Sequence, residues 1–212
     1  GPAPALPGEA DRSLPMVEAD TSYCCAVDRW GNAFSATPSD GSFNSGVVPG
    51  LGIIPSPRGS QSRPDPRHPC GVAPGKRPRL TPNPAMVVTR DGGVMPFGTP
   101  GGDVQIQAML QVMLNMLHFG MEVQEAIEAP RVASYAFPSS FAPFDYFPGR
   151  LAVEARVPQA TRDRLAAQGH DVKDWPERTW LAGTVEVVMT DPRRGMLAAG
   201  ADPRRPAYAI AS

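Results

Sequence analysis

The stretch from residue 97 to residue 120 reads FGTPGGDVQIQAMLQVMLNMLHFG. It opens with a turn that contains two adjacent glycines, Gly101 and Gly102, and continues into apolar residues spaced three and four apart. This spacing predicts an amphipathic helix over 106–117, with Gly120 as the stop signal. The stretch therefore predicts a helix that follows directly on a glycine-rich turn.

Strand signals lie on both sides of this helix. Apolar runs around turns such as Asp91-Gly92-Gly93 predict hairpins. Two shorter helices are predicted at 123–128 and at 158–168. The predicted strands are 23–27, 33–37, 86–89, 94–97, 185–189 and 196–199. Strands, then helices, then strands, with hairpin links, predict an α+β fold around an antiparallel sheet rather than βαβ units.

Three segments lack this periodicity. Residues 1–20 carry four prolines and no apolar period, which predicts a flexible or extended arm. Residues 38–84 form a passage rich in Pro, Gly and Ser, and a loop of that length inside a domain is usually functional or disordered. Residues 130–150 are predicted to be an aromatic-rich loop.

Composition excludes several classes of function. Lys+Arg 20 against Asp+Glu 21 gives a net charge of −1, whereas a nucleic-acid binder normally carries an excess of positive charge. No apolar run approaches the ~20 residues that span a bilayer. The three cysteines, two of them adjacent (Cys24 and Cys25), make a poor disulfide framework and lack the spacing of a zinc site. We therefore expect no nucleic-acid partner, no membrane partner and no metal.

Among the candidate catalytic groups, the glycine pair is the most informative. Backbone N–H groups at the start of a helix are unpaired, and glycines let a ligand approach them closely. Gly101 and Gly102 could therefore form an oxyanion hole, although a glycine turn before a helix is commonly just a cap. Thr21, taken alone, is a strand start. The basic residues Lys76, Arg77 and Arg79 predict either an anion site or a solvated or ion-paired loop.

A succession of short motifs gives these candidates a context. The motifs are TSY at 21–23, VDxxGN at 27–32, GxxPGKRPRxxxxP at 71–84, GTPGGD at 98–103 and FGMxxQEAIEAPR at 119–131. Their order resembles the small subunit of the γ-glutamyltranspeptidase family of N-terminal-nucleophile hydrolases. Within that family, ATPSxG at 36–41 and FGTPGGD at 97–103 resemble most the amidohydrolase-like branch, which includes oxamate amidohydrolases.

The resemblance implies an N-terminal-nucleophile hydrolase fold, a four-layer αββα sandwich. The small subunit builds this sandwich jointly with a large subunit that normally precedes it in one precursor. Residues 21–212 would be the small subunit, and residues 1–20 a flexible arm, a linker or the end of the large-subunit region.

The resemblance also implies a mechanism. The precursor is cut by its own threonine, so that Thr21 becomes terminal and supplies both a hydroxyl nucleophile and an α-amine that acts as base. Ser39 matches the family's second hydroxyl residue, which positions the nucleophile. The N–H groups of Gly101 and Gly102 would hold the oxyanion. No metal or organic cofactor is implied.

The substrate positions depart from the family pattern. The side chains that grip the ammonium of a glutamyl substrate align with Gln61, Arg58 and Gly41, and the serines that hold its α-carboxylate align with Leu80 and Thr81. A carboxylate has thus become an amide, a neutral residue has become arginine, and one hydroxyl is lost. We therefore expect a small carboxylate-bearing amide as substrate rather than a γ-glutamyl group.

One feature of the chain conflicts with this mechanism. Twenty residues precede Thr21, and a peptide-bonded nitrogen cannot act as a base. The chain is therefore an unprocessed fragment, is cleaved elsewhere, or is a non-catalytic relative. The leading hypothesis is an amide-bond hydrolase that forms an acyl-enzyme on Thr21. The alternatives are a true γ-glutamyltransferase that uses glutathione, and an uncleaved scaffold or binding protein.

Overall fold

The structure is a computed structural model that describes residues 21–40 and 46–210. The arm predicted at 1–20 and the position of Gly41 lie outside these residues. The strands are β1 (Cys24–Val27), β2 (Ala33–Ala36), β3 (Ala85–Val88), β4 (Val94–Gly98), β5 (Val132–Ser134), β6 (Arg150–Glu154), β7 (Asp171–Trp175), β8 (Glu186–Asp191) and β9 (Met196–Gly200). The helices are α1 (Gln105–Leu117), α2 (Val123–Glu128) and α3 (Gln159–Ala167), with short 3-10 turns at Pro57–Gln61, Gly102–Val104 and Trp180–Ala182.

The core lies between an antiparallel sheet and two helices. The sheet has the strand order β3-β4-β8-β9, and Phe97 on β4 is paired with Val187 on β8. Both side chains are buried in one cluster with Ala108 and Val112 of α1 and Ile127 of α2. The face of α1 that packs on the sheet carries Ala108, Met109, Val112 and Met116. Four of the apolar residues whose spacing predicted the helix are instead exposed, namely Ile106, Leu110, Leu114 and Leu117. The spacing therefore predicted the helix correctly but not the face that it buries.

The β1–β2 hairpin covers the other face of this sheet. Its strands contact β4 and β8, each of which already has two paired neighbours, so the hairpin packs on the face and not at an edge. The ring of Tyr23 lies directly on Gly98, where an added Cβ would come within 2.2 Å of a ring carbon. This contact fixes the start of β1 beside the end of β4. The result is two β-layers backed by helices, in agreement with the predicted α+β class.

A second sheet, of order β5-β6-β7, corrects part of the sequence prediction. Strands β6 and β7 are parallel and are connected through α3, so the chain does contain a βαβ unit. Strand β5 and the start of β6 also lie inside the predicted loop at 130–150. The sequence signal was weak because β7 reads DVKDW, with three charged residues in five. Pairing with β6 overrides that low strand propensity.

The remaining element predictions agree with the structure to within a few residues. The helices at 106–117, 123–128 and 158–168 and all six predicted strands are present. The passage at 38–84 contains one 3-10 turn as its only helix among the residues described. In the described part of the chain, no helix has the length and apolar character needed to cross a membrane. The same residues contain no cluster of three or more His, Cys, Asp or Glu that could hold a metal ion.

Candidate active site

Thr21 and Ser39 form a pair of hydroxyl groups at the start of the hairpin. Their backbones form an antiparallel β-bridge, and Ser22 N donates to the carbonyl of Pro38 at 2.9 Å. This bridge brings Thr21 Oγ1 to 2.5 Å from Ser39 Oγ. Thr21 is only 6% exposed. The two hydroxyls therefore share a hydrogen bond in a place that is largely shielded from water.

The guanidinium of Arg58 binds Ser39 at two points. Its Nη2 donates to Ser39 Oγ, and its Nε donates to the Ser39 carbonyl at 3.2 Å. Arg58 lies in the 3-10 turn Pro57–Gln61, whose first backbone N–H is capped by the hydroxyl of Ser56. The Ser56 hydroxyl in turn donates to Asp40 at 2.8 Å. The turn that carries Arg58 is thus attached through Ser56 to Asp40, the residue that follows Ser39.

Gln61 ends the same 3-10 turn and meets Thr81. Gln61 is fully buried, and its Nε2 lies 3.4 Å from Thr81 Oγ1. Its Oε1 has no hydrogen-bond partner among the described residues. Leu80, by contrast, is half-exposed. The structure therefore brings two of the predicted substrate-binding residues into contact and leaves one buried acceptor available.

The glycine turn requires backbone conformations that other residues rarely adopt. Gly101 has φ +125° and Gly102 has φ +55°. The Cα of Gly183 lies 3.6 Å from the point where a Cβ on Gly101 would stand. Thr99 links the turn to the segment that follows Gly183, because its Oγ1 donates to the Pro100 carbonyl at 2.6 Å and accepts from Thr184 N at 2.7 Å. These contacts orient the first N–H groups of the helix that follows.

Asp103, directly after the glycine pair, joins the turn to the aromatic loop. Its carboxylate accepts the backbone N–H of Ser140 at 2.7 Å and the Ser140 hydroxyl. Arg79 of the basic run lies 3.7 Å from the same carboxylate. The ring of Phe141 lies 3.4 Å from the place where a Cβ of Gly102 would stand. Arg79 therefore agrees with the second prediction for the basic run, a solvated or ion-paired loop.

A buried ion cluster supports the turn from the core side. Arg131 and Arg204 pair with Asp202 and Glu154, with N···O distances of 2.6–3.1 Å. Arg131 Nη1 also donates to the carbonyls of Ala182 at 3.3 Å and Gly183 at 2.9 Å. The cluster thereby fixes the loop that packs against Gly101.

Two further polar residues near the nucleophile were missed at the sequence level. Arg205 Nη1 donates to the Thr21 carbonyl at 3.1 Å. Glu186 is paired with Gly98 and so lies on the sheet face that Tyr23 covers, where burial raises the pKa of its carboxyl to about 8. The available signals were the run DPRR at 202–205 and a lone acid in an apolar strand.

Burial also raises the pKa values of the neighbouring Tyr23 and Cys25 side chains, and in both cases the charge of Glu186 contributes to the shift. These three groups face one another between the hairpin and the sheet. A proton on Glu186 is therefore favoured in the folded protein near neutral pH.

The chain resembles known proteins over most of its length. The family profile described as gamma-glutamyltranspeptidase matches residues 9–212. The oxamate amidohydrolase proenzyme of Klebsiella pneumoniae is 34% identical over 188 residues, which are 87% of this chain and 34% of that protein. The glutathione hydrolase proenzyme of Bacillus subtilis is 30% identical over 204 residues, which are 95% of this chain and 32% of that protein. The chain thus spans about a third of the length of the curated relatives it matches.

Solved structures share the fold. A variant of the protein LmbA2991 superposes with a TM-score of 0.84 at 37% identity, covering 92% of this chain and 34% of that chain. A variant of the gamma-glutamyltranspeptidase of Pseudomonas nitroreducens superposes with a TM-score of 0.72 at 23% identity, covering 91% of this chain and 99% of that chain. The profile match and the identities together show that the chain belongs to the γ-glutamyltranspeptidase family.

Proposed function

We propose that this chain is the nucleophile-bearing part of an amide-bond hydrolase that is cut between Asp20 and Thr21 and then acts through Thr21. The observation that carries the proposal is the hydroxyl pair, with Thr21 Oγ1 2.5 Å from Ser39 Oγ. A buried threonine hydroxyl that is held by a second hydroxyl at a strand start has the position that a nucleophile needs.

The first step is self-cleavage. Thr21 Oγ1 attacks the carbonyl carbon of Asp20, the C–N bond breaks, and the hydroxyl proton ends on the Thr21 nitrogen. Water then hydrolyses the resulting ester and leaves a carboxylate on Asp20 and a free amine on Thr21. The reaction removes the obstacle posed by the twenty preceding residues, because the Thr21 nitrogen ceases to be an amide.

Turnover follows the same chemistry with an external amide. The free α-amine, with an ordinary pKa of about 7.7–8.0, takes the proton of Thr21 Oγ1. The N–H groups of Gly101 and Gly102 stabilise the oxyanion, a role in which one donor typically contributes about 2.7–4 kcal/mol. The amine of the substrate leaves with a proton, and water cleaves the acyl-enzyme. No step needs a metal or an organic cofactor.

A large subunit from the same precursor completes this proposal. Two relatives of the chain are proenzymes about three times its length. The Pseudomonas nitroreducens chain is covered over 99% of its own length by 91% of this chain, a share close to that of residues 21–212. Exposed apolar side chains along α1, such as Ile106 and Leu117, offer a surface for the missing part of the protein.

The proposed substrate is a small amide whose acyl group carries a carboxylate. Arg58 adds positive charge beside the nucleophile, which favours an anionic acyl group and disfavours an ammonium. Gln61 offers a buried amide where a carboxylate would be needed to hold an ammonium. The oxamate amidohydrolase proenzyme among the relatives supports this class. The second candidate is γ-glutamyl hydrolysis or transfer, favoured by the likeness to the glutathione hydrolase proenzyme.

Mass spectrometry of the full precursor tests the mechanism. We expect the mature protein to contain a chain that begins at Thr21, and the Thr21→Ala precursor to remain intact and inactive. Thr21→Ser is the matched control and should cleave, because it keeps the hydroxyl. An intact wild-type precursor would favour the scaffold alternative, and turnover by a folded Thr21→Ala protein would refute the role of Thr21.

A comparison of kcat/KM tests the substrate. The mature two-chain protein should hydrolyse oxamate or a similar carboxylate-bearing amide better than a γ-glutamyl anilide. Unpaired buried groups cost about 1–3 kcal/mol each, so two mismatches separate the substrates by roughly two powers of ten or more. Efficient hydrolysis of the anilide with transfer to a dipeptide would instead establish the γ-glutamyltransferase.

A further inference from the structure

We propose that Arg58 is a positioning residue for the nucleophile, which acts through Ser39 on Thr21 during self-cleavage as well as during turnover. This inference rests on the proposed role of Thr21. It differs from the substrate role assigned to the same side chain, because self-cleavage involves no external substrate.

The argument begins with the hydrogen-bond partners. A guanidinium has only donors, so Ser39 Oγ must accept the bond from Arg58 Nη2. The single proton of Ser39 is then directed to another acceptor, and Thr21 Oγ1 lies 2.5 Å away. This order makes Ser39 the donor and Thr21 the acceptor. The hydroxyl proton of Thr21 takes no part in this hydrogen bond and passes to the Thr21 nitrogen during the reaction.

The positive charge on Arg58 further favours Ser39 as the donor and Thr21 as the acceptor of their shared hydrogen bond. A cation one hydrogen bond from Ser39 Oγ polarises the Ser39 hydroxyl, which makes it a better donor. When Thr21 Oγ1 loses its proton, the developing negative charge is two hydrogen bonds from the guanidinium. Because Thr21 is only 6% exposed, water screens this interaction less than it would at the surface.

The geometry is held on both sides of Ser39. The second bond, from Arg58 Nε to the Ser39 carbonyl at 3.2 Å, orients the guanidinium plane with respect to the backbone. The hydroxyl of Ser56 links the Arg58 turn to Asp40, the residue after Ser39. A side chain that served only to bind substrate would not need this attachment to the residue that holds the nucleophile.

The experiment measures the rate of self-cleavage of the full precursor. We expect Arg58→Met to slow cleavage about ten- to a hundredfold, the range of one charge-assisted hydrogen bond, and Arg58→Lys to slow it less. In the Ser39→Ala background, Arg58→Met should add little, because its route to Thr21 is already broken. Arg67→Met is the matched control, since Arg67 lies in the same loop but pairs with Asp65 on the surface. It should cleave at the wild-type rate.

The mature enzyme gives a second readout. Loss of the positioning role lowers kcat similarly for substrates with and without a carboxylate, whereas loss of substrate binding raises KM for the carboxylate-bearing substrate alone. Wild-type self-cleavage by a folded Arg58→Met precursor would overturn the inference. If Arg58→Met does not fold, Arg58→Gln, which also lacks the positive charge, decides. Cleavage by Thr21→Ala would refute the proposed function instead, so the two failures are distinguishable.

Discussion

The nucleophile region and the buried ion cluster are both polar and both withdrawn from solvent. Of the two, only the nucleophile region leaves buried side-chain oxygens without a hydrogen-bond partner among the described residues. In the ion cluster, Arg204 and Glu154 have fully buried side chains and bind each other at 2.6 Å, and both carboxylates are paired. Arg131 Nε is the atom of this cluster that has no hydrogen-bond partner among the described residues. Near Thr21, Gln61 Oε1 and Glu186 Oε2 are buried and have no hydrogen-bond partner among the described residues. The cluster uses its charges to hold loops together, whereas the nucleophile region keeps groups that can still respond to a proton or a substrate.

Breaking the ion cluster should have the largest effect. Arg204→Met removes the partner that Glu154 binds at 2.6 Å and one of the two arginines that pair with Asp202. We therefore expect the free energy of unfolding to fall by about 3–5 kcal/mol. The control is Arg178→Met, because Arg178 pairs with Glu128 at 2.9 Å on the surface, where an ion pair contributes less than about 1 kcal/mol. Urea denaturation of the full precursor measures both, and equal losses would show that burial does not distinguish the two pairs.

Glu186 should make the stability of the protein depend on pH. Burial raises its pKa from 4.5 to about 8. Between these values the folded state holds a proton that the unfolded state has lost, so the free energy of unfolding falls as the pH rises. Glu186→Gln should remove that slope and make the variant more stable than wild type at pH 8.5, relative to pH 4, by on the order of 2–3 kcal/mol.

Thermal melts at several pH values test the Glu186 prediction. The control is Glu177→Gln, because Glu177 is exposed, and its melts should follow the wild-type profile. A wild-type slope retained in Glu186→Gln would assign the titration to another group.

Alanine substitutions at two glycines with similar φ values test whether the backbone conformation of the glycine turn matters for activity or only for stability. Gly102 and Gly195 have similar φ values, +55° and +62°, but Gly195 lies in the β8–β9 turn. Alanine at either position costs roughly 1–2 kcal/mol of strain. At Gly102 the strain also turns the N–H groups away from the oxyanion, and we expect kcat/KM to fall about ten- to a hundredfold.

For Gly195→Ala, the same measurement should give wild-type kcat/KM with lowered thermal stability. Equal activity in the two variants would remove the glycine turn from the proposed mechanism.

The smallest expected effect concerns substrate preference. Gln61→Glu restores the carboxylate that would pair with an ammonium, and we expect the ratio of kcat/KM for a γ-glutamyl anilide over oxamate to rise about tenfold, equivalent to 1.4 kcal/mol. Gln61→Met, which has similar volume but no polar atoms to offer, should lower activity without this change in the ratio. An unchanged ratio in Gln61→Glu would place the ammonium site elsewhere.

The sequence by itself determined the helices, most strands and the family. The apolar spacing in 97–120 was enough to predict the helix, because residues three and four apart recur on one side of a helix. It did not predict the buried face, since Ile106, Leu110 and Leu114 are exposed and Ala108 and Val112 are buried instead. The glycines at 101 and 102 likewise indicated a turn with positive φ values, since few other residues adopt φ values of +125° and +55°. The candidate site residues came from the motif order, and their roles stay predictions.

Only the tertiary structure decided which distant residues meet. The parallel pairing of β6 with β7 was missed because the low strand propensity of DVKDW is overridden by its neighbour. The bond from Arg205 to the Thr21 carbonyl joins residues 184 positions apart, and no local pattern records such a contact. The sequence analysis did not single out Glu186, and the pKa of its carboxyl is raised because the fold buries it. Local periodicity is written in the sequence, whereas desolvation and long-range pairing arise when the layers pack.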